Sequence, residues 1–210
     1  MAQITKISPQ KKRDGYYNIF VDDAFFCGLS ELQLATLHLQ VGQQLTTQEQ
    51  EDIQQSSAIG KTYNRALYYL QYGPRTTSQM RTYLLQKGYI EEHIDSVLVT
   101  LQNENYLNDE QLAQSFVRDR QTYKPRSTRM LRAELRKKGI DSIVIESTIA
   151  DMDENNQLDA IKHIAEKKLK QARYQDKTKL IEYLLRQGFS YNDVKSVLSD
   201  IDFGSDTSVD

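Results

Sequence analysis

The chain has 210 residues, 39% hydrophobic and 27% charged, with 27 Lys and Arg against 29 Asp and Glu, so it carries enough apolar material for a core and a large polar surface. The net charge of −2 excludes a uniformly basic coat. No apolar run reaches membrane-spanning length, and Met1–Lys12 lacks the hydrophobic stretch of a signal peptide. Cys27 is the only cysteine, which excludes an intrachain disulfide and fits a cytoplasmic protein.

The first elements are β-prone. Ile4–Pro9, Tyr16–Val21 and Ala24–Cys27 are apolar and aromatic runs separated by turn clusters at Lys11–Gly15 and Asp22–Asp23, which predicts a small β-meander. Cys27 lies in the third run and is expected to be a buried structural thiol. Ser30 is expected to cap a helix through His38, ended by Gly42, and Thr47 to cap a second across Gln48–Gln55. A sheet this small needs such a cover to be stable. These elements define an N-terminal segment, 1–58.

Beyond it, three glycines set the plan. Gly88, Gly139 and Gly188 lie 51 and 49 residues apart, near the period of helical repeat arrays. Leu84, Leu135 or Leu184 stands four residues before each, and Tyr89, Ile140 or Phe189 one after. Ile94, Ile145 and Val194 follow, then Leu98, Ile149 and Leu198, then Leu101, Met152 and Ile201. Each glycine fits the left-handed position that closes a helix. Thr76, Ser127 and Asp176, each twelve residues upstream, suit helix N-caps, and Gln79 completes a capping box with Thr76. Asp141 and Ser190 can cap the helices after the turns; Ile90 cannot, and Glu91 and Glu92 compensate through the helix dipole.

An earlier helix in each unit is expected near Lys61–Tyr72, Asp109–Arg120 and Glu154–Gln171. The expected fold is therefore mostly α: tandem three-helix repeats at 59–107, 108–153 and 154–203, forming an elongated curved array behind the small β-meander, with a flexible acidic tail at 204–210. Such arrays work through extended surfaces.

The charge is segregated. Residues 118–138 carry nine basic side chains against two acids, Asp119 and Glu134, and a second basic stretch runs over 162–179. Arg129, Arg132 and Arg136 share a helical face. The candidate partner- or DNA-binding residues are Lys124, Arg126, Arg129, Arg132, Arg136, Lys137, Lys138, Lys167 and Lys170. A solvated helix face is the bland explanation of one basic cluster; two in adjacent repeats of an acidic chain favour an anionic partner. Tyr123 and Tyr174 lie among these cations and could stack on bases, although such tyrosines more often belong to a core or its rim.

Catalytic patterns are lacking. His38, His93 and His163 lie in separate elements without a cysteine cluster for zinc, and His93 is expected to be exposed. Gly60-Lys61-Thr62 resembles the end of a P-loop, but Gln55 replaces the earlier glycine and no strand precedes it. No catalytic site, metal or cofactor is expected. A DNA-reading helix–turn–helix would place its base contacts at the start of the second helix. Those positions hold Glu91-Glu92-His93, Ser142-Ile143-Val144 and Tyr191-Asn192-Asp193, where acids repel phosphate and Ile143 and Val144 suit a core.

The order and spacing of several short segments resemble the RecX regulatory proteins, modulators of the bacterial recombinase RecA. They are Ala66-Leu67-Tyr68-Tyr69-Leu70, Pro74-Arg75-Thr76, Leu84-Leu85-Gln86-Lys87-Gly88-Tyr89, Tyr106-Leu107-Asn108-Asp109 with Phe116, and Leu135-Arg136-Lys137-Lys138-Gly139-Ile140. The Pro-Arg pair recurs at Pro125-Arg126, whereas Tyr174-Gln175 replaces it in the third repeat. The resemblance implies tandem three-helix repeats, binding in the groove of the RecA–DNA filament, and inhibition of RecA ATPase and strand exchange. It implies a RecA filament partner, with single-stranded DNA contacted through the filament or weakly alone; no membrane partner and a monomer are expected. The alternative is a non-specific nucleic-acid-binding protein that acts through its basic face without RecA.

Overall fold

The computed structural model describes residues 2–152, 155–199, 201 and 203. The tail expected at 204–210 and the helix start expected at Glu154 lie outside these residues. The chain divides into two compact units, Met1–Arg75 with Met80–Leu107, and Thr76–Gln79 with Asn108–Asp210.

In the first unit, β1 (Ala2–Pro9), β2 (Tyr16–Val21), β3 (Ala24–Ser30) and β4 (Gln44–Leu45) form an antiparallel sheet of order β3-β2-β1-β4. Asp22 and Asp23, with φ of 48° and 65°, make the two-residue β2–β3 hairpin turn, whose doubly left-handed backbone matches strand twist. The sequence shows the meander but not β4, which is too short to carry an alternation of its own. Cys27 is buried, and burial pushes its thiol pKa up, as expected of a structural cysteine.

Helix α1 (Glu31–Thr36) has a complete capping box, in which Ser30 and Gln33 bond each other's backbone amides. It stops short of the expected end because His38 turns left-handed, φ 51°. The next helix is capped by Thr46, not Thr47, and α2 runs unbroken over Thr47–Leu70. The expected break near Ser56–Gly60 gives way to a helix whose two halves serve different cores. Ile53 packs with the sheet residues Ile4, Ile19 and Leu29, while Ala66 packs with Met80, Leu84, Ile94 and Leu101. The breakers are accommodated within it. Ser57 donates to the Gly28 carbonyl at 2.7 Å, and Gly60 leaves room for Gln33, whose amide donates to the Ser56 carbonyl at 2.6 Å. Helices α3 (Thr77–Gln86) and α4 (Glu91–Asn103) complete the set.

The second unit holds α5 (Asp109–Tyr123), α6 (Thr128–Lys137) and α7 (Ser142–Ala150) around Val117, Leu131, Leu135 and Ile145. It then holds α8 (Asn155–Leu169), a short 3₁₀ turn at Ala172–Tyr174, α9 (Lys177–Arg186) and α10 (Tyr191–Ser199) around Ile161, Leu180, Leu184 and Val194. The apolar columns of the sequence are these cores: Leu84, Leu135 and Leu184 are all fully buried, as are Ile94, Ile145 and Val194. Two expectations fail. Ile143 is 79% exposed, because it occupies the outer side of the first turn of α7 while only Val144 packs inward. His93 is half-buried next to the buried Ile94.

All three glycines make the same cap. Their φ values are 82°, 77° and 87°. Gly88 donates to the Leu85 carbonyl at 2.9 Å and Tyr89 to the Leu84 carbonyl at 3.2 Å; Gly139 with Ile140, and Gly188 with Phe189, repeat both bonds. This is the Schellman motif, which brings the residue after the glycine onto the leucine four before it.

Within the second unit two of these turns are also docking points. Thr76 Oγ1 donates to the Lys138 carbonyl at 2.6 Å, and Ser127 Oγ to the Gln187 carbonyl at 2.7 Å, so each buried N-cap hydroxyl reaches the carbonyl before the glycine of the following repeat. Asp176, the equivalent residue before Gly188, is a carboxylate and cannot donate to a carbonyl. Its carboxylate only accepts, from the amides of Thr178 and Lys179, and it lies exposed.

Candidate functional site

Helix α6 organises the basic residues of the second unit. Ser127 accepts from the Met130 amide to start it, and Leu131 and Leu135 bury its inner face. The spacing then forces Arg129, Arg132, Arg136 and Lys137 outward, and the cations at its end suit the negative pole of the helix.

The carboxylates decide which of these charges face solvent alone. Glu134 holds Arg120 at 2.8 Å and Arg126 at 3.6 Å; Glu146, from α7, holds Arg132 at 3.0 Å and Arg136 at 3.9 Å. Arg126 also donates to Gln187 Oε1 at 3.3 Å. Lys138 is half-buried with its ammonium 5.1 Å from the centre of the Phe116 ring. Lys124, Arg129 and Lys137 are exposed and pair with no carboxylate among the described residues. The face predicted from sequence is thus present but divided, with Lys124, Arg129 and Lys137 exposed outside ion pairs and four guanidinia shared between two acids. Lys167, on the last turn of α8, and Lys170, just beyond it, are exposed as well.

Arg132 has a structural counterpart. Arg81 pairs with Asp95 across the α3–α4 turn as Arg132 pairs with Glu146 across the α6–α7 turn, each side chain seven residues from its glycine. The third unit has Ile181 and Lys195 at those places and no such pair. The sequence held this signal, an arginine and an acid placed symmetrically about Gly88 and Gly139, and the reading by helical faces missed it because Glu146 lies beyond the basic stretch.

Tyr123, at the end of α5, is 78% exposed. Tyr174 packs edge-on against Tyr183 at 5.2 Å, with Lys168 over both rings, so it belongs to a core rim. Gly60-Lys61-Thr62 lies in mid-helix, and Thr62 is buried and bonded to the Ala58 carbonyl, so no phosphate loop forms there. Among the described residues no group of His, Cys, Asp and Glu could hold a metal ion, and no helix is long and apolar enough to cross a membrane. The arrangement suits binding of an anionic surface through dispersed cations.

Comparison with known proteins matches four family models in order along the chain. They are the regulatory protein RecX N-terminal domain over residues 2–46, and the RecX first, second and third three-helix domains over 63–101, 108–149 and 155–198. Relatives called regulatory protein RecX include that of Streptococcus gordonii, 31% identical over 97% of this chain and 79% of its own, and that of Bacillus subtilis, 30% identical over 98% and 80%. A crystal structure of a regulatory protein RecX superposes with a TM-score of 0.82 at 27% identity, covering 95% of this chain and all of that one. A crystal structure of RecX from Lactobacillus salivarius gives 0.62 at 27% identity over 70% and 98%.

Proposed function

The chain belongs to the RecX family, and from that premise we propose that it binds the RecA–DNA filament and inhibits RecA ATP hydrolysis and strand exchange. One observation carries the reading. In a chain whose family domains run in order from end to end, the exposed cations Lys124, Arg129 and Lys137 gather in the second three-helix domain. A nucleoprotein filament presents phosphates along its length, and dispersed cations bind such a target additively through counterion release. The protein acts on RecA's state without chemistry of its own and in the cytoplasm.

The test is order of addition. RecA is assembled on single-stranded DNA until hydrolysis is steady, and the protein is added afterwards. A filament binder suppresses hydrolysis at or below stoichiometry with RecA. A plain competitor for single-stranded DNA acts only when added before assembly and in amounts that coat the strand. Unchanged hydrolysis with the protein in excess would refute the filament reading.

A further inference from the structure

From Ile53 to Ile90 the chain has five basic residues, no acid and six of its thirteen tyrosines. In a protein with more acids than bases, so long a stretch without a carboxylate is unusual, and the first unit folds much of it into one surface. Arg65, Tyr68, Tyr69 and Tyr72 follow the i, i+3, i+4, i+7 rule, which aligns them along the end of α2 and the turn after it. Tyr69 stacks on Tyr83 of α3 with ring centres 3.9 Å apart and planes 12° from parallel. The Arg75 guanidinium lies 4.5 Å from the Tyr69 ring, the Lys87 ammonium 5.6 Å from Tyr83, and the Arg65 guanidinium 5.6 Å from Tyr68. Arg65 also faces the hydroxyls of Tyr89 and Tyr83.

Two features make this more than an internal cluster. Tyr68 and Tyr72 are 47% and 64% exposed, joined by a bond between their hydroxyls at 2.7 Å, and so present ring surface to solvent. None of Arg65, Arg75 or Lys87 pairs with a carboxylate among the described residues, whereas Arg81, the remaining arginine of this stretch, is taken by Asp95. Fixed aromatic faces edged by uncompensated cations are what unpaired bases and their phosphates require. Stacking accepts any base because every base has a π-face, and the cations follow the backbone.

We propose that this face of the first unit binds single-stranded DNA, with bases stacking on Tyr68 and Tyr72 and phosphates held by Arg65, Arg75 and Lys87. The site belongs to the first unit and shares no residue with α6. A folded acidic protein would match the cations but leave the rings without purpose. Duplex DNA would match the cations and hide its bases.

The test uses the full chain without RecA, so its failure and that of the filament reading are independent. Fluorescence anisotropy of a labelled 20-nucleotide oligo(dT) at low salt measures binding. Tyr68→Ala/Tyr72→Ala should weaken it at least about fivefold for each stacked base lost, while Tyr68→Phe/Tyr72→Phe, which keeps both rings, stays near the wild type. A duplex of the same length should bind more weakly and ignore the alanine changes. If the alanine pair loses helical circular dichroism, Tyr72→Ala alone, at the most exposed ring and beyond the end of α2, supplies the measurement. No oligo(dT) binding by the wild type, equal binding by a folded alanine variant, or equal competition by poly-glutamate and by unlabelled oligo(dT) would overturn the proposal.

Discussion

Alanine at the three equivalent glycines should give unequal losses of stability, although the local sequence signals are the same. All three adopt left-handed φ, so each substitution costs about 1–2 kcal/mol of backbone strain. At Gly88 the added methyl meets nothing within 4 Å, and the loss should end there. At Gly139 the methyl would overlap both Oγ and Cβ of Ser78. Serine has no flexible far end to swing away, so the backbone must yield, adding about 1–3 kcal/mol as in other overpacked sites. Gly188 should fall between them. Its methyl would sit 2.8 Å from Ser127 Oγ, which is already committed to the Gln187 carbonyl, and 3.2 Å from the more pliable Arg129 side chain. Urea unfolding followed by circular dichroism and tyrosine fluorescence measures the series; the chain has 13 tyrosines and no tryptophan. A double-mutant cycle sharpens it. Ser78→Gly costs about 0.5 kcal/mol of helix propensity, since serine is already intermediate between alanine and glycine, yet combined with Gly139→Ala it should return most of the clash, giving a coupling of more than about 1 kcal/mol. Equal losses at Gly88 and Gly139, or a coupling near zero, would refute the docking role assigned to this turn.

Further outcomes follow from the same geometry. Ser127→Ala removes a cap and strands the Gln187 carbonyl, which should cost about 2–3 kcal/mol, whereas Asp176→Ala removes an exposed cap and a solvent-exposed ion pair with Lys179 and strands no buried group; urea midpoints that fall equally would contradict the distinction. Lys124→Ala/Arg129→Ala/Lys137→Ala should lower the log–log salt slope of filament binding by up to about 2.1, at about 0.7 per phosphate of single-stranded DNA. Arg132→Ala should change that slope less and cost no more than about 1 kcal/mol of stability, because its exposed partner Glu146 already holds the charge; titrations in which Arg132 dominates would reverse the assignment. Glu49 and Asp176 are both held below their ordinary values of 4.5 and 3.8, Glu49 chiefly by the Thr46 amide and Asp176 by the Lys179 side chain. A lowered folded pKa means that their stabilisation is complete above those ordinary values and disappears as pH falls through the lowered ones. Glu49→Gln and Asp176→Asn should therefore flatten the acid limb of the stability profile and leave the neutral region nearly level; a change confined to pH above 6 would be inconsistent with this linkage.

The repeats were legible because their signals are local. A leucine four residues before a glycine and an apolar residue one after describe the two ends of a Schellman contact, and a hydroxyl or carboxylate twelve residues upstream describes the cap of the same helix. These pairings lie within one or two helical turns of each other or within one helix, so chain order reveals them. The acid-free tyrosine stretch was equally local, but its meaning was not. Chain order does not show that Tyr69 and Tyr83, on different helices, stack one on the other.

The sequence by itself determined the paired helices around each repeat glycine, the caps at Thr76, Ser127, Asp141 and Asp176, the three left-handed turns and the cations that α6 turns outward, since helical periodicity and backbone sterics act over a few residues. Tertiary structure decided what those features do. It carried α2 through Ser56–Gly60, because burying Ile53 in one core and Ala66 in another outweighs the poor helix propensity of serine and glycine. It also chose which arginines remain available, because Glu134 and Glu146 reach them across helix turns where charge is set by distance in space. Finally, it gave Gly139 and Gly188, but not Gly88, a neighbour against which only a hydrogen fits.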